Sequence, residues 1–134
     1  MTFPSLFSIM EKVRNKILTI DDDQRMLDLI KYNLSKRGYE VITARGGEEG
    51  LRLAKEHREA RVILLDIMMP GMTGYEVVRE LRVDERTKNI PIIMLTGEGN
   101  PQSLEKTFEL GVADYIVKPF DPATLIEKIT KVLG

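Results

Sequence analysis

Residues 61–67, RVILLDI, are the most apolar run in the chain, and PGMTG (70–74) follows two residues later. A short continuous apolar run closed by a turn reads as a strand buried on both faces. The turn brings the strand to GYEVVRELRVDERTKN (74–89), where Val77, Val78 and Leu81 share one helical face. Strand, turn and helix make one βα unit, with Asp66 near the strand's exit.

The same unit recurs on either side. Upstream, KILTI (16–20) leads into RMLDLIKYNLSKRG, with Met26, Leu27, Ile30 and Leu34 at helical spacing and Gly38 as the stop. YEVITA (39–44) then precedes GEEGLRLAKEH (47–57). Downstream, IPIIMLT (90–96) pairs with PQSLEKTFELG (101–111), and ADYIVKP (113–119) with PATLIEKITKVL (122–133). Five βα units in a row predict an α/β domain whose parallel sheet is covered on both faces. That domain spans residues 16–134, preceded by an extension over residues 1–15.

Composition narrows the chemistry. At 134 residues, with 43% hydrophobic and 31% charged, the chain is one globular domain able to bury a core without staples. Twenty basic residues against twenty-one acidic ones predict no bulk attraction to nucleic acid. The absence of cysteine excludes disulfides, a thiolate nucleophile and Cys-ligated zinc. His57 is the single histidine, so a multi-His metal site is excluded; its place at a helix end predicts an exposed ring. No apolar stretch approaches the roughly 18 residues of a membrane span, and MTFPSLFSIMEKVRNK lacks the basic start of a secretory signal.

Four of the five strands end in polar groups. The first runs into Asp21, Asp22 and Asp23, the third ends at Asp66, the fourth at Thr96 and the fifth at Lys118. Ligands of open parallel sheets bind beyond the carboxyl ends of the strands. Two unit charges ~4 Å apart at an effective dielectric of ~20 repel by about 4 kcal/mol, so the acids call for a compensating cation. A hard divalent ion such as magnesium, which takes oxygen ligands and one or two carboxylates, suits them. Without it, one carboxylate pKa should rise. Asp23 has a second reading as helix N-cap. Taken singly, Thr96 reads as a turn residue and Lys118 as a surface lysine.

ILTIDDD, VILLDIMMPGMTGYEVV, IIMLTG and ADYIVKPF resemble, in order and spacing, the receiver domains of two-component response regulators. The likeness covers residues 16 to 133. It implies a flavodoxin-like (βα)₅ three-layer sandwich with strand order 2-1-3-4-5. It implies that Asp66 accepts a phosphoryl group with Mg2+ (or Mn2+) held by Asp21, Asp22, Asp66 and the backbone carbonyl of Met68. Thr96 would bond the phosphoryl group, Lys118 would pair with the aspartate and then the phosphate, and Tyr115 would be the aromatic switch. Tyr115 also reads as an ordinary half-buried strand aromatic. The Lys118–Pro119 bond would be cis, a modest cost before proline.

The donor would be a histidine kinase or histidine phosphotransfer protein. The signal would leave through the face of the fourth helix, fifth strand and fifth helix, to a downstream protein or a fused output domain. A phosphorylation-dependent homodimer is a further expectation; membrane and direct nucleic-acid binding are not. The location implied is cytoplasmic, and the chain would be no enzyme beyond its own phosphorylation and dephosphorylation.

Some residues depart from the family pattern. Ala60-Arg61 stands where many receivers have Pro-Asp, and Gly97 where Ala is common. Met68 and Glu98 would tune the lifetime of the acyl phosphate. In the extension, Phe3, Leu6, Phe7, Ile9, Met10 and Val13 fall on half a helix circumference, which fits a docking or dimer helix, a helix folded onto the domain, or a disordered leader. Met1 and an extension unlike a tag favour a stand-alone or N-terminal receiver over one excised from a longer regulator or hybrid kinase.

Two rivals share parts of the pattern. DDDQ contains the D-x-D of haloacid-dehalogenase-like phosphatases, with Asp21 as nucleophile and Asp23 as acid, but Arg25 stands where Thr or Val is expected. A flavin or nucleotide binder would need a hydroxyl- or glycine-rich loop after the first strand, where three acids would repel phosphate.

Overall fold

Alternating apolar runs and amphipathic segments become alternating strands and helices. The structure, a computed structural model, describes residues 5, 6, 15–97 and 101–134. Its elements are β1 (Lys16–Ile20), α1 (Gln24–Ser35), β2 (Glu40–Ala44), α2 (Gly47–Glu56), β3 (Val62–Asp66), α3 (Gly74–Val83), β4 (Ile92–Thr96), α4 (Pro101–Glu109), β5 (Asp114–Val117) and α5 (Pro122–Leu133). The strands are all parallel, in the order β2-β1-β3-β4-β5. The expected helix over residues 1–15 lies outside the described residues, except for residues 5, 6 and 15.

Strand alternation divides the core in two. Leu18, Ile20, Ile63, Leu65, Ile92 and Met94 meet Leu51, Ala54, Val77, Val78 and Leu81 of α2 and α3 on one face. Ile17, Val62, Leu64, Ile93 and Ile116 meet Ile30 and Leu34 of α1 and Leu125 and Ile129 of α5 on the other. β1, β3 and β4 are buried along their whole length, which is why they read as continuous apolar runs.

Two expectations are corrected. The helix predicted over 74–89 stops at Val83. Asp84 turns extended (φ −95°, ψ 127°), and its carboxylate accepts from the Arg86 backbone N–H at 2.8 Å and from the Arg86 guanidinium. Buried Thr87 then donates to the Leu81 carbonyl at 2.7 Å, satisfying a helix end that would otherwise be bare. His57 is not an exposed ring: its side chain is 25% exposed, with Nδ1 3.2 Å from the Lys16 ammonium. Lys16 in turn donates to Glu59 at 2.6 Å.

One buried hydroxyl is at odds with its surroundings. Thr19, in the middle of β1, is fully buried, and among the described residues Oγ1 has no hydrogen-bond partner. An unmade buried bond costs about 1–3 kcal/mol, and an apolar isostere removes that cost. Thr19→Val is therefore expected to stabilise the fold by about 1 kcal/mol, seen as a higher urea midpoint at unchanged slope. An unchanged or lower midpoint would mean that the hydroxyl is satisfied.

Candidate functional site

The register of the sheet brings the polar strand ends together. Ile20 lies beside Leu65, Leu65 beside Met94, and Asp66 beside Leu95. Asp21, one residue past β1, donates its N–H to the Ala44 carbonyl at 3.0 Å and so continues the ladder. Asp66 closes β3, and after the loop 67–73 the first residue of α3 packs back against the end of the strand. Gly74 permits this: its N–H donates to the Ile67 carbonyl at 2.8 Å, and a Cβ there would stand 2.5 Å from the Asp66 carbonyl oxygen. Only a residue without a side chain lets helix and strand approach so closely. Lys118 follows β5, donates its N–H to the Thr96 carbonyl at 2.7 Å, and is joined to Pro119 by a cis peptide bond.

The Lys118 ammonium bridges two carboxylates. Nζ is 3.0 Å from Asp21 Oδ2 and 3.1 Å from Asp66 Oδ1. Asp21 and Asp66 are buried, whereas Asp22 is more open to solvent. The second oxygen of Asp21, Oδ1, accepts the Asp23 N–H at 3.0 Å, which fixes its carboxylate plane. Burial and then the Asp21 charge push the Asp66 carboxyl up to about 6, against the pull of Lys118. Burial alone would lower the Lys118 pKa, but its bond to Asp21 and the Asp66 charge outweigh it and leave the ammonium raised. Burial, with the neighbouring acids behind it, outweighs the pull of Lys118 on Asp66.

Asp21, Asp22 and Asp66 each offer an oxygen, all within 4.8 Å of one another. Three hard oxygen donors at an open strand end fit a magnesium ion, which keeps several waters and needs few carboxylates. Asp23 does not join them. It is exposed, and its side chain caps α1, accepting the Arg25 N–H at 3.0 Å. That leaves the phosphatase reading without its second acid. The Met68 side chain is exposed, 64%, and points to no polar role of its own.

Thr96 and Tyr115 occupy the neighbouring side of the site. Thr96 closes β4 and is buried; Tyr115 in β5 is half-buried and packs on the α2/α3 face of the sheet. The Tyr115 ring stands edge-on to half-exposed Phe108 of α4, with centroids 5.8 Å apart and an angle of 81°. The Lys128 ammonium of α5 lies 5.2 Å from its centre. Tyr115 thus touches both α4 and α5. Glu98 lies outside the described residues.

Two features escape a reading along the chain. Lys118 is shared with Asp21 as well as Asp66, because the register, not the spacing, sets Asp21 beside β3. The Lys106 ammonium of α4 sits 4.1 Å from the Tyr75 ring centre of α3, beside a cavity of about 270 Å³ that Thr96 and Met68 also line. No local pattern couples residues from two separate βα units.

Known proteins share this sequence pattern and fold. Chemotaxis protein CheY1 of Helicobacter pylori is 42% identical over 120 residues, covering 89% of this chain and 97% of that protein. The DNA-binding dual master transcriptional regulator RpaA of Synechocystis is 40% identical over 118 residues; the match covers 88% of this chain but 48% of RpaA. The solved structure of chemotaxis protein CheY4 of Vibrio cholerae superposes with a TM-score of 0.83 at 38% identity, covering 87% of this chain and 97% of CheY4. Residues 17–130 match the response regulator receiver domain, and the chemotaxis relatives are 42% and 38% identical and built on the same sheet: the chain belongs to that family.

Proposed function

We propose that this receiver domain takes a phosphoryl group from a histidine kinase or histidine phosphotransfer protein onto Asp66. The observation that carries the reading is the meeting of Asp21, Asp22 and Asp66 within 4.8 Å, with the Lys118 ammonium between two of them. An Asp66 carboxylate oxygen attacks phosphorus; the bond from phosphorus to the donor's imidazole nitrogen breaks, and its electron pair stays on that nitrogen. Phosphoryl transfer asks the protein mainly for alignment and charge stabilisation. Lys118 holds Asp66 in place before transfer and balances the phosphoryl oxygens after it. Asp22, Asp66 and the Met68 carbonyl would hold magnesium, with Asp21 beside them, and the ion supplies further positive charge at those oxygens. Water later cleaves the acyl phosphate and resets the site.

Release of the signal follows from Thr96 and Tyr115. The phosphoryl group draws the Thr96 hydroxyl towards it, and the Tyr115 ring turns into the space left behind. Tyr115 touches α4 through Phe108 and α5 through Lys128, so its turn reshapes the α4–β5–α5 face. That face would address a downstream protein, a fused output domain or a second copy of the chain. Receiver domains interact with histidine kinases and output domains, and the transcriptional regulators matched are about twice this chain's length. No helix among the described residues is long and apolar enough to cross a membrane; a cytoplasmic location belongs to the proposal.

Magnesium titration tests the site. Asp22→Ala is expected to weaken binding by at least about 10-fold, through loss of a direct oxygen ligand. Asp23→Ala is expected to leave affinity within about 2-fold while costing about 1 kcal/mol of stability, because its carboxylate caps α1. The reverse order of affinities would move the metal elsewhere.

A further inference from the structure

The Lys106 ammonium rests 4.1 Å from the centre of the Tyr75 ring, and among the described residues no carboxylate pairs with it. The pair lines an open cavity of about 270 Å³ whose other walls include Met68, Thr96, Gln102 and Ser103. Met68 lies two residues after Asp66, and Thr96 follows Leu95, the register partner of Asp66. The ammonium therefore lines the same cavity as Thr96, the residue proposed to bond a phosphoryl group on Asp66.

The helix carrying Lys106 is lightly anchored. Among the described α4 side chains only Thr107 is fully buried, and its hydroxyl is spent inside the helix on the Ser103 carbonyl at 2.9 Å. Phe108 is half-exposed. Lys118 already serves two carboxylates. An exposed cation–π contact is weak, whereas a doubly charged phosphoryl group attracts an ammonium strongly at similar range.

We propose that Tyr75 and Lys106 form a charge-triggered latch, in which the ring holds the ammonium between α3 and α4 until a phosphoryl group on Asp66 takes it away. The inference rests on Asp66 being the phosphoacceptor. Lys106 then contributes to the switch because its contacts differ between the two states, which is what lets a ligand shift an equilibrium. Release from Tyr75 frees α4 from α3, on the side away from the Tyr115–Phe108 contact.

The test is the affinity of the full chain for trifluoroberyllate, a phosphoryl mimic, in saturating magnesium. Urea midpoints of every variant are measured alongside. Lys106→Met is expected to weaken binding about 5- to 10-fold through the lost charge, and Lys106→Arg to stay within about 2-fold of wild type. Tyr75→Leu, which removes the resting place but keeps the cation, is expected to tighten binding about 2- to 4-fold. A pair that only stapled α3 to α4 would shift Lys106→Met and Tyr75→Leu in the same direction, so same-sign shifts overturn the latch. Wild-type binding that Lys106→Met leaves unchanged overturns the latch alone. A wild-type chain that takes up no trifluoroberyllate overturns the phosphoacceptor reading and the latch with it.

Discussion

Asp66→Asn is expected to abolish phosphoryl uptake and, in the same protein, to raise the stability of the metal-free fold. The first effect follows from chemistry: a neutral amide is a far weaker nucleophile than a carboxylate, so labelling by a small phosphodonor with magnesium should fall at least about 100-fold. The second follows from linkage. In the folded chain the Asp66 carboxyl titrates at about 6, against about 3.9 for an unfolded aspartate. The native state therefore binds the proton more tightly, and stability rises as pH falls from above 6 towards 4. Above pH 6 the ionised group costs the fold about 1–3 kcal/mol, which the amide removes. Urea midpoints of the two proteins in chelator should differ at pH 7.5 and converge near pH 4. A less stable variant at pH 7.5 would show that Lys118 compensates Asp66 fully.

Lys118→Met should act in the opposite sense on stability. Its ammonium is the one bridge between two buried carboxylates among the described residues. Removing one member of a buried charge cluster costs about 3–5 kcal/mol, because the remaining charges are left uncompensated. Three features mark this origin. The loss should shrink at pH 5, where Asp66 can take a proton, and should shrink again in magnesium, which supplies another cation. Phosphorylation should slow by roughly 100-fold, the scale for one lost charge-stabilising donor. An equal stability loss at pH 5 and pH 8, with and without magnesium, would assign Lys118 to packing of its stem.

The fold was readable in the chain because burial on both faces makes the parallel strands continuous and apolar, and Gly and Pro punctuate them. Helix α3 was overextended because residues 84–89 keep helix-compatible composition; Asp84 ends it by turning its carboxylate onto Arg86, a local competition that periodicity does not report. His57 looked exposed from its place at a helix end, yet Lys16 comes to meet its ring from the start of β1. The acids and Lys118 stood out because they sit at strand ends, where neighbours in the sheet share a site. The sharing of Lys118 with Asp21 and the Lys106–Tyr75 contact did not. Each joins residues far apart along the chain, and only the packed sheet decides which of them meet.

Peptide mapping of the wild-type chain after incubation with a small phosphodonor and magnesium tests the central claim most directly. The arrangement of Asp21, Asp22, Asp66 and Lys118 predicts a single phosphoryl adduct, on Asp66, that does not form when magnesium is chelated beforehand. An adduct on another residue, or one formed equally well in chelator, would contradict it.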